Sequence, residues 1–180
     1  QNRTGLVYGP FNLIYGFGAL LMTLTMWWLR KERDIAMFFC GAVLGSVYEF
    51  FCSWLQETVL GTVSWEYSEM PFNLYGRINL LYSLFWGILA LAWVKGIYPL
   101  MSKWIEKIPK KYGYPLTWIL IIFMVFNSAV SGLAVWRMTE RNENIPANNV
   151  VMEYFDEKFP DERVQKVYPS MQYVEKTDKK

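Results

Sequence analysis

The sequence predicts an all-α integral membrane protein: four transmembrane helices, a short amphipathic helix between the third and fourth, and a polar C-terminal tail. Three observations carry this reading. Charged residues make up only 19% of the 180-residue chain, are nearly missing from four long apolar blocks, and crowd into the segments between them. Each block approaches the roughly 20 apolar residues that a helix needs to cross a hydrocarbon core of about 30 Å. Nine Trp and twelve Tyr suit a chain with two membrane interfaces, where an apolar ring with a polar edge is at home.

The blocks are residues 11–29, 35–55, 78–94 and 116–136. Runs of this length must be helical, because lipid leaves open backbone groups unsatisfied. The first two are joined by Arg30–Lys31–Glu32–Arg33–Asp34, a turn tight enough to force an antiparallel hairpin. The second connection is aromatic and polar, with Trp65, Glu66, Tyr67, Glu69 and Pro71. In the third, Tyr98, Leu100, Met101, Trp104, Ile105 and Ile108 mix with lysines, the pattern of a helix lying on a membrane surface. Residues 1–141 thus form the transmembrane domain and 142–180 the tail, with 142–149 as a linker.

Orientation follows the distribution of Lys and Arg. Arg30, Lys31, Arg33, Lys95, Lys103, Lys107, Lys110 and Lys111 fall on one side; Arg3, Arg77, Arg137 and Arg141 fall on the other. The richer side is expected to be cytoplasmic, with both ends of the chain outside. The chain starts at Gln1, so a segment upstream is expected, and no signal peptide is recognisable.

Several chemistries are disfavoured. Net charge is +2, too small to argue for nucleic acid. There is no His, which removes the commonest general base and metal ligand. Cys40 and Cys52 match no metal or redox spacing and read as packing residues. No cofactor or metal is expected, and no catalytic residue is assigned.

One repeat stands out. Pro10–Phe11–Asn12–Leu13 and Tyr15–Gly16 match Pro71–Phe72–Asn73–Leu74 and Tyr75–Gly76, and both copies precede an apolar block entering from the same side. This is either a parallel two-helix repeat or two similar helix starts with Pro in the first turn and Asn as cap.

Glu49 is the one formal charge inside a block. Such a charge costs roughly 2.5–3.5 kcal/mol on insertion scales, so it must be paired, protonated or facing water. Ser46, Glu49 and Ser53 share a helix face, and Gly41 and Gly45 permit close helix contact. Arg77 is the expected partner, at the start of the third block and roughly 9 Å above Glu49 by helical rise; the alternative is that it reaches for lipid head groups. Asn12, Asn73, Trp65, Tyr67 and Glu57 are candidates for the mouth of the same cleft. Their plain alternatives are caps, interface anchors and a solvated acid. Asn127, Ser128, Ser131 and Gly132 read as helix-packing residues.

Tyr8–Gly9–Pro10–Phe11, Ile14–Tyr15–Gly16–Phe17–Gly18–Ala19–Leu20, Tyr48–Glu49, Ser53–Trp54–Leu55, Glu57, Trp65, Tyr67–Ser68, Pro71–Phe72–Asn73–Leu74, Gly76–Arg77, Ser83 and Trp86–Gly87 together resemble a bacterial membrane family. It is the ABC-transporter type IV family, with CmpB-like permeases. The tail run Phe159–Pro160–Asp161–Glu162–Arg163 with Tyr168–Pro169 is similar to that family as well. The resemblance implies a multi-pass protein of the bacterial cell membrane and a further transmembrane helix upstream, expected to fall outside residues 1–180.

The chain has no G-x-x-x-x-G-K-[ST] run, so it carries no ATPase of its own. Three functions are in competition. The first is a permease-like subunit binding a small solute or ion near Glu49 and Arg77, working as a homo-oligomer or with partner membrane or ATPase subunits. The second is a non-transporting scaffold or regulator. The third is a lipid-modifying enzyme, against which the lack of His and the scarcity of intramembrane carboxylates count. A water-accessible polar cavity at Glu49 favours the first, and a dry, packed Glu49 the second.

The charge distribution generates a topology prediction. With Cys40 and Cys52 replaced, Lys107→Cys should resist an impermeant thiol reagent in intact cells, and Ser68→Cys should be labelled. The reverse pattern overturns the orientation.

Overall fold

The computed structural model describes residues 5–174; Arg3, counted above for orientation, lies outside them. In chain order the elements are α1 (Leu13–Met26) with a 3-10 turn at Trp27–Leu29, α2 (Asp34–Leu60), β1 (Thr62–Val63), β2 (Asn73–Leu74), β3 (Ile78–Asn79), α3 (Leu80–Ala92), a π-helical turn (Trp93–Ile97), α4 (Tyr98–Ile105), α5 (Lys110–Asn142), α6 (Val150–Lys158), α7 (Asp161–Val167) and β4 (Gln172–Tyr173).

Three helical stretches are long and apolar enough to cross a membrane: Asp34–Leu60, Leu80–Ile105 and Lys110–Asn142. The fourth apolar helix, Leu13–Leu29, is shorter. The long helices outrun the apolar blocks because hydropathy marks only the segment in hydrocarbon, while the hydrogen-bond ladder continues into the polar boundary.

The separate amphipathic helix expected before α5 is instead the continuation of the third span. Pro99 removes one helical N–H and crowds the carbonyl a turn before it. The π turn just upstream, closed by the Tyr98 N–H on the Trp93 carbonyl, widens the ladder there, and the helix runs on into α4.

The PFNL copies also differ. The first leads directly into α1. The second forms a hairpin in which Asn73 faces Asn79 and Leu74 faces Ile78. Phe72 and Tyr75 there adopt positive φ angles of 57° and 54°, and Gly76 one of 66°. Asn73 organises this turn: its amide donates to the Met70 carbonyl at 2.8 Å and its oxygen accepts from the Gly76 N–H at 3.1 Å. The cap of α3 is Asn79, whose side chain accepts from the Leu81 N–H at 2.8 Å and donates to the Pro71 carbonyl at 2.7 Å.

The chain divides into two compact units. One contains Ile14–Cys52 and Glu66–Leu120. Its core is Met22, Met26, Met37, Ala90 and Val94, with Trp86 and Trp93 packed against it. Close approach of α2 and α3 is made by small residues: a Cβ on Gly45 would sit 2.3 Å from the Trp86 ring, one on Gly41 would be 2.2 Å from the Ala90 methyl, and one on Gly87 would be 2.7 Å from the Phe38 carbonyl. The Trp93 indole donates to Thr23 at 2.8 Å, and Tyr48 donates to the Ile14 carbonyl at 2.7 Å. Lys95 pairs with Asp34 in the first turn of α2.

The other unit contains the segment ending at Leu13, Ser53–Trp65 and everything from Ile121 on. Here the tail read as a polar extension is folded. Ala134, Val135 and Met138 of α5 share a core with Phe155, Phe159 and Val164 of the tail. Strand β4 pairs antiparallel with β1, Thr62 opposite Tyr173. Arg137, buried on α5, donates through Nε and Nη2 to the two oxygens of Asp156, both at 2.8 Å. Those bonds, joined by one from Arg141, hold the Asp156 carboxyl down at about 2. Asn127 and Ser131 bind the chain ahead of α1: Asn127 exchanges bonds of 3.1 and 2.6 Å with the Tyr8 backbone, and Ser131 accepts from the Val7 N–H at 2.9 Å. Ser128 bonds back to the Met124 carbonyl, and a Cβ on Gly132 would meet open space.

The small-residue seam predicts opposite outcomes for two glycines. Gly45→Ala must displace the Trp86 ring and should cost about 1–3 kcal/mol, the usual range for overpacking. Gly16→Ala in α1 adds a Cβ into open space, so it should be neutral or raise stability by up to about 1 kcal/mol through helix propensity. Unfolding in detergent checks both; equal effects would refute the seam.

Candidate functional site

The first unit holds one intramembrane acid, and its surroundings define the candidate site. Glu49 lies on α2 and is only 8% exposed. Its Oε1 accepts from the Tyr67 hydroxyl at 2.9 Å and its Oε2 from the Trp86 indole N–H at 2.9 Å. Tyr67 comes from the connection after α2 and Trp86 from α3. Trp86 can reach because Gly45 leaves its ring room against α2.

The chemistry of the two donors differs. An indole N–H can only donate, so Oε2 is an acceptor in every protonation state. A phenol can donate to a carboxylate or accept from a carboxylic acid. Burial, and then the charge of Glu49, push the Tyr67 hydroxyl well above its ordinary value, so it keeps its proton. The box therefore holds Glu49 with or without a proton by rotation of one hydroxyl. Tyr67 is itself fixed by stacking on Tyr82, centroids 4.8 Å apart, and by its backbone N–H donating to the Gly76 carbonyl at 2.8 Å. Tyr48 meets the edge of Trp86 at 6.4 Å.

One turn away, Ser46 donates to the Ala42 carbonyl and meets the Ser83 hydroxyl, both at 2.7 Å. Ser83 in turn bonds the Asn79 carbonyl at 3.0 Å. This pair ties α2 to α3 and has its hydrogen-bonding capacity largely used.

Of the residues singled out from the sequence, Glu49, Tyr67 and Ser46 therefore belong to this neighbourhood. Among the described residues, the direct hydrogen-bond partners of Glu49 are Tyr67 and Trp86, where Arg77 was expected. The Arg77 guanidinium lies over the Phe50 ring, 5.7 Å from its centroid. Asn73 shapes the hairpin. Ser53 is buried on α2, and Asn12, Glu57 and Trp65 are half-buried. Trp86 and Ser83 were missed as site residues. The available signal was chemical: a Trp within a span must place its N–H on an acceptor, and the nearest intramembrane acceptor of full strength is Glu49.

A double-mutant cycle tests the box. Trp86→Phe and Tyr67→Phe should each cost about 1–3 kcal/mol, the usual cost of leaving a buried acceptor without its donor. In a Glu49→Leu background both penalties should largely vanish. Additive losses would show that the bonds do not couple.

Against known proteins, one family model matches the chain, over residues 1–132, and its description is "Putative ABC-transporter type IV". No curated protein and no solved structure matches.

Proposed function

Because the chain belongs to the ABC-transporter type IV family, a family of membrane proteins, we propose that it is a permease-type membrane subunit whose Glu49 box binds a small cation or a proton in exchange. The observation that carries this reading is the neutrality of the box. Among the described residues, the hydrogen-bond partners of Glu49 are a phenol and an indole, neither of which brings a positive charge. A carboxylate inside an apolar span needs a counter-charge or a proton. The Tyr67 hydroxyl, on the connection rather than in a helix, is the donor that an entering ion would displace or share. Within the unit that holds Glu49, Arg77 and Asn73 remain candidates for the entrance, and Ser46 for the inner wall. Partner membrane or ATP-hydrolysing subunits, or further copies of the chain, would complete the pathway.

The second reading is a non-transporting scaffold. The burial of Glu49, with both oxygens engaged, favours it. Under that reading the box is a cross-link among α2, α3 and the connection.

One measurement separates them. In weakly buffered detergent solution, adding sodium or potassium chloride to the wild-type protein should release up to one proton per chain. It should also raise the melting temperature with concentration, since saturation a hundredfold above Kd contributes about 2.7 kcal/mol. Glu49→Gln should do neither. Absence of proton release, with a cation-independent melting temperature in both proteins, would leave the scaffold reading.

A further inference from the structure

A groove of about 520 Å³ runs between α2, α3 and the β2–β3 hairpin, all within the unit that holds Glu49. Its α2 wall is Phe39, Val43, Val47 and Phe50, and its α3 wall includes Leu80 and Leu84. Leu74, Tyr75 and Ile78 of the hairpin close one end. Glu49 does not line it. The polar side chains that do, Ser46 and Ser83, bond to each other and to backbone carbonyls. The groove therefore offers apolar surface rather than a polar ligand site.

We propose that this groove holds one acyl chain of an anionic phospholipid from the surrounding bilayer, with its phosphate drawn to Arg77. Three observations support this occupant. First, Val43 and Val47 are about two-thirds exposed, at 65% and 63%, on a helix long and apolar enough to span a membrane, so the groove opens toward hydrocarbon. Second, Phe39 to Phe50 covers about 16 Å of helix axis, about half of a hydrocarbon core roughly 30 Å thick, so the groove gives an extended acyl chain a long run of apolar wall. The volume lies within the usual range of about 300–1,000 Å³ for ligand pockets.

Third, the hairpin end carries what a head group needs. Phe72 and Tyr75 are 80% and 81% exposed and held in left-handed backbone conformations, the disposition of aromatic anchors at an interface. Phe50 belongs to the groove wall, and the Arg77 guanidinium stands over its ring. A chain lying against Phe50 thus ends beside a guanidinium, a good partner for phosphate. This inference does not depend on ion binding at Glu49.

The test is native mass spectrometry of the full chain released from nanodiscs of equal phosphatidylglycerol and phosphatidylcholine. Wild type should retain one phospholipid per chain, predominantly phosphatidylglycerol. Val43→Trp and Val47→Trp fill the groove from exposed positions and should each lose the retained lipid whatever its head group. Arg77→Gln should keep a lipid but lower the phosphatidylglycerol preference by about fivefold, the effect expected of one Arg at an anionic membrane surface. No retained lipid in the wild type, or undiminished retention in both Trp variants, overturns the proposal. So does a dimer that both Trp variants convert to monomer, which would assign the groove to a second copy of the chain.

Discussion

A carboxylate in an apolar helix has to find donors within its own side-chain reach, and the helices around Glu49 are spaced by that need. Burial removes the water that would solvate it, so each oxygen left without a donor costs more than an ordinary hydrogen bond contributes. Trp86 can supply one donor only if α3 lies almost against α2. Gly41, Gly45, Gly87 and Ala90 make that possible, with three of these positions unable to accept a Cβ without a shift. The same close contact brings Ser46 to Ser83 and sets the width of the groove on the outer side of the two helices. Packing and polar satisfaction are here one constraint.

The connection after α2 serves the same end by different means. It is held by side chains bonding to backbone: Asn73 to Met70 and Gly76, Asn79 to Pro71 and Leu81, and Glu66 to Ser68. These bonds fix Tyr67 without a long strand or helix to carry it. They also hold Phe72 and Tyr75 in a left-handed backbone, a conformation that costs about 1–3 kcal/mol per residue and persists only where surroundings over-determine it.

The second unit follows soluble-protein rules. Its core joins α5 to amphipathic tail helices, and its ion pairs are hydrogen-bonded networks: Arg137 with Asp156 and Glu140, and Arg141 with Asp156 and Asp161. Removing one partner of the buried Arg137 would leave an uncompensated charge in the core, so the pairs hold the tail in one arrangement once it is folded. Family membership extends over residues 1–132, so the tail lies beyond the matched region.

The sequence by itself located three segments apolar enough to cross a membrane, those within Asp34–Leu60, Leu80–Ile105 and Lys110–Asn142, because hydropathy summed over about 20 residues is a local property. It also singled out Glu49 as the costly residue, and the glycine pair beside it as a site of close contact. It left Asn73 open between the mouth of a cleft and a helix cap, while the cap of α3 is Asn79, since both have the right chemistry and only backbone conformation chooses. The tertiary structure decided what Glu49 touches. Arg77 was the expected partner by charge, but a neutral phenol and indole reach the carboxylate directly, because hydrogen-bond geometry depends on where distant segments return in space. Likewise the tail's polarity concealed its fold: Phe155, Phe159 and Val164 are too sparse to register as an apolar run, and they form a core only when α5 supplies the facing side. Pattern along a chain reports one surface at a time, and a site needs at least two.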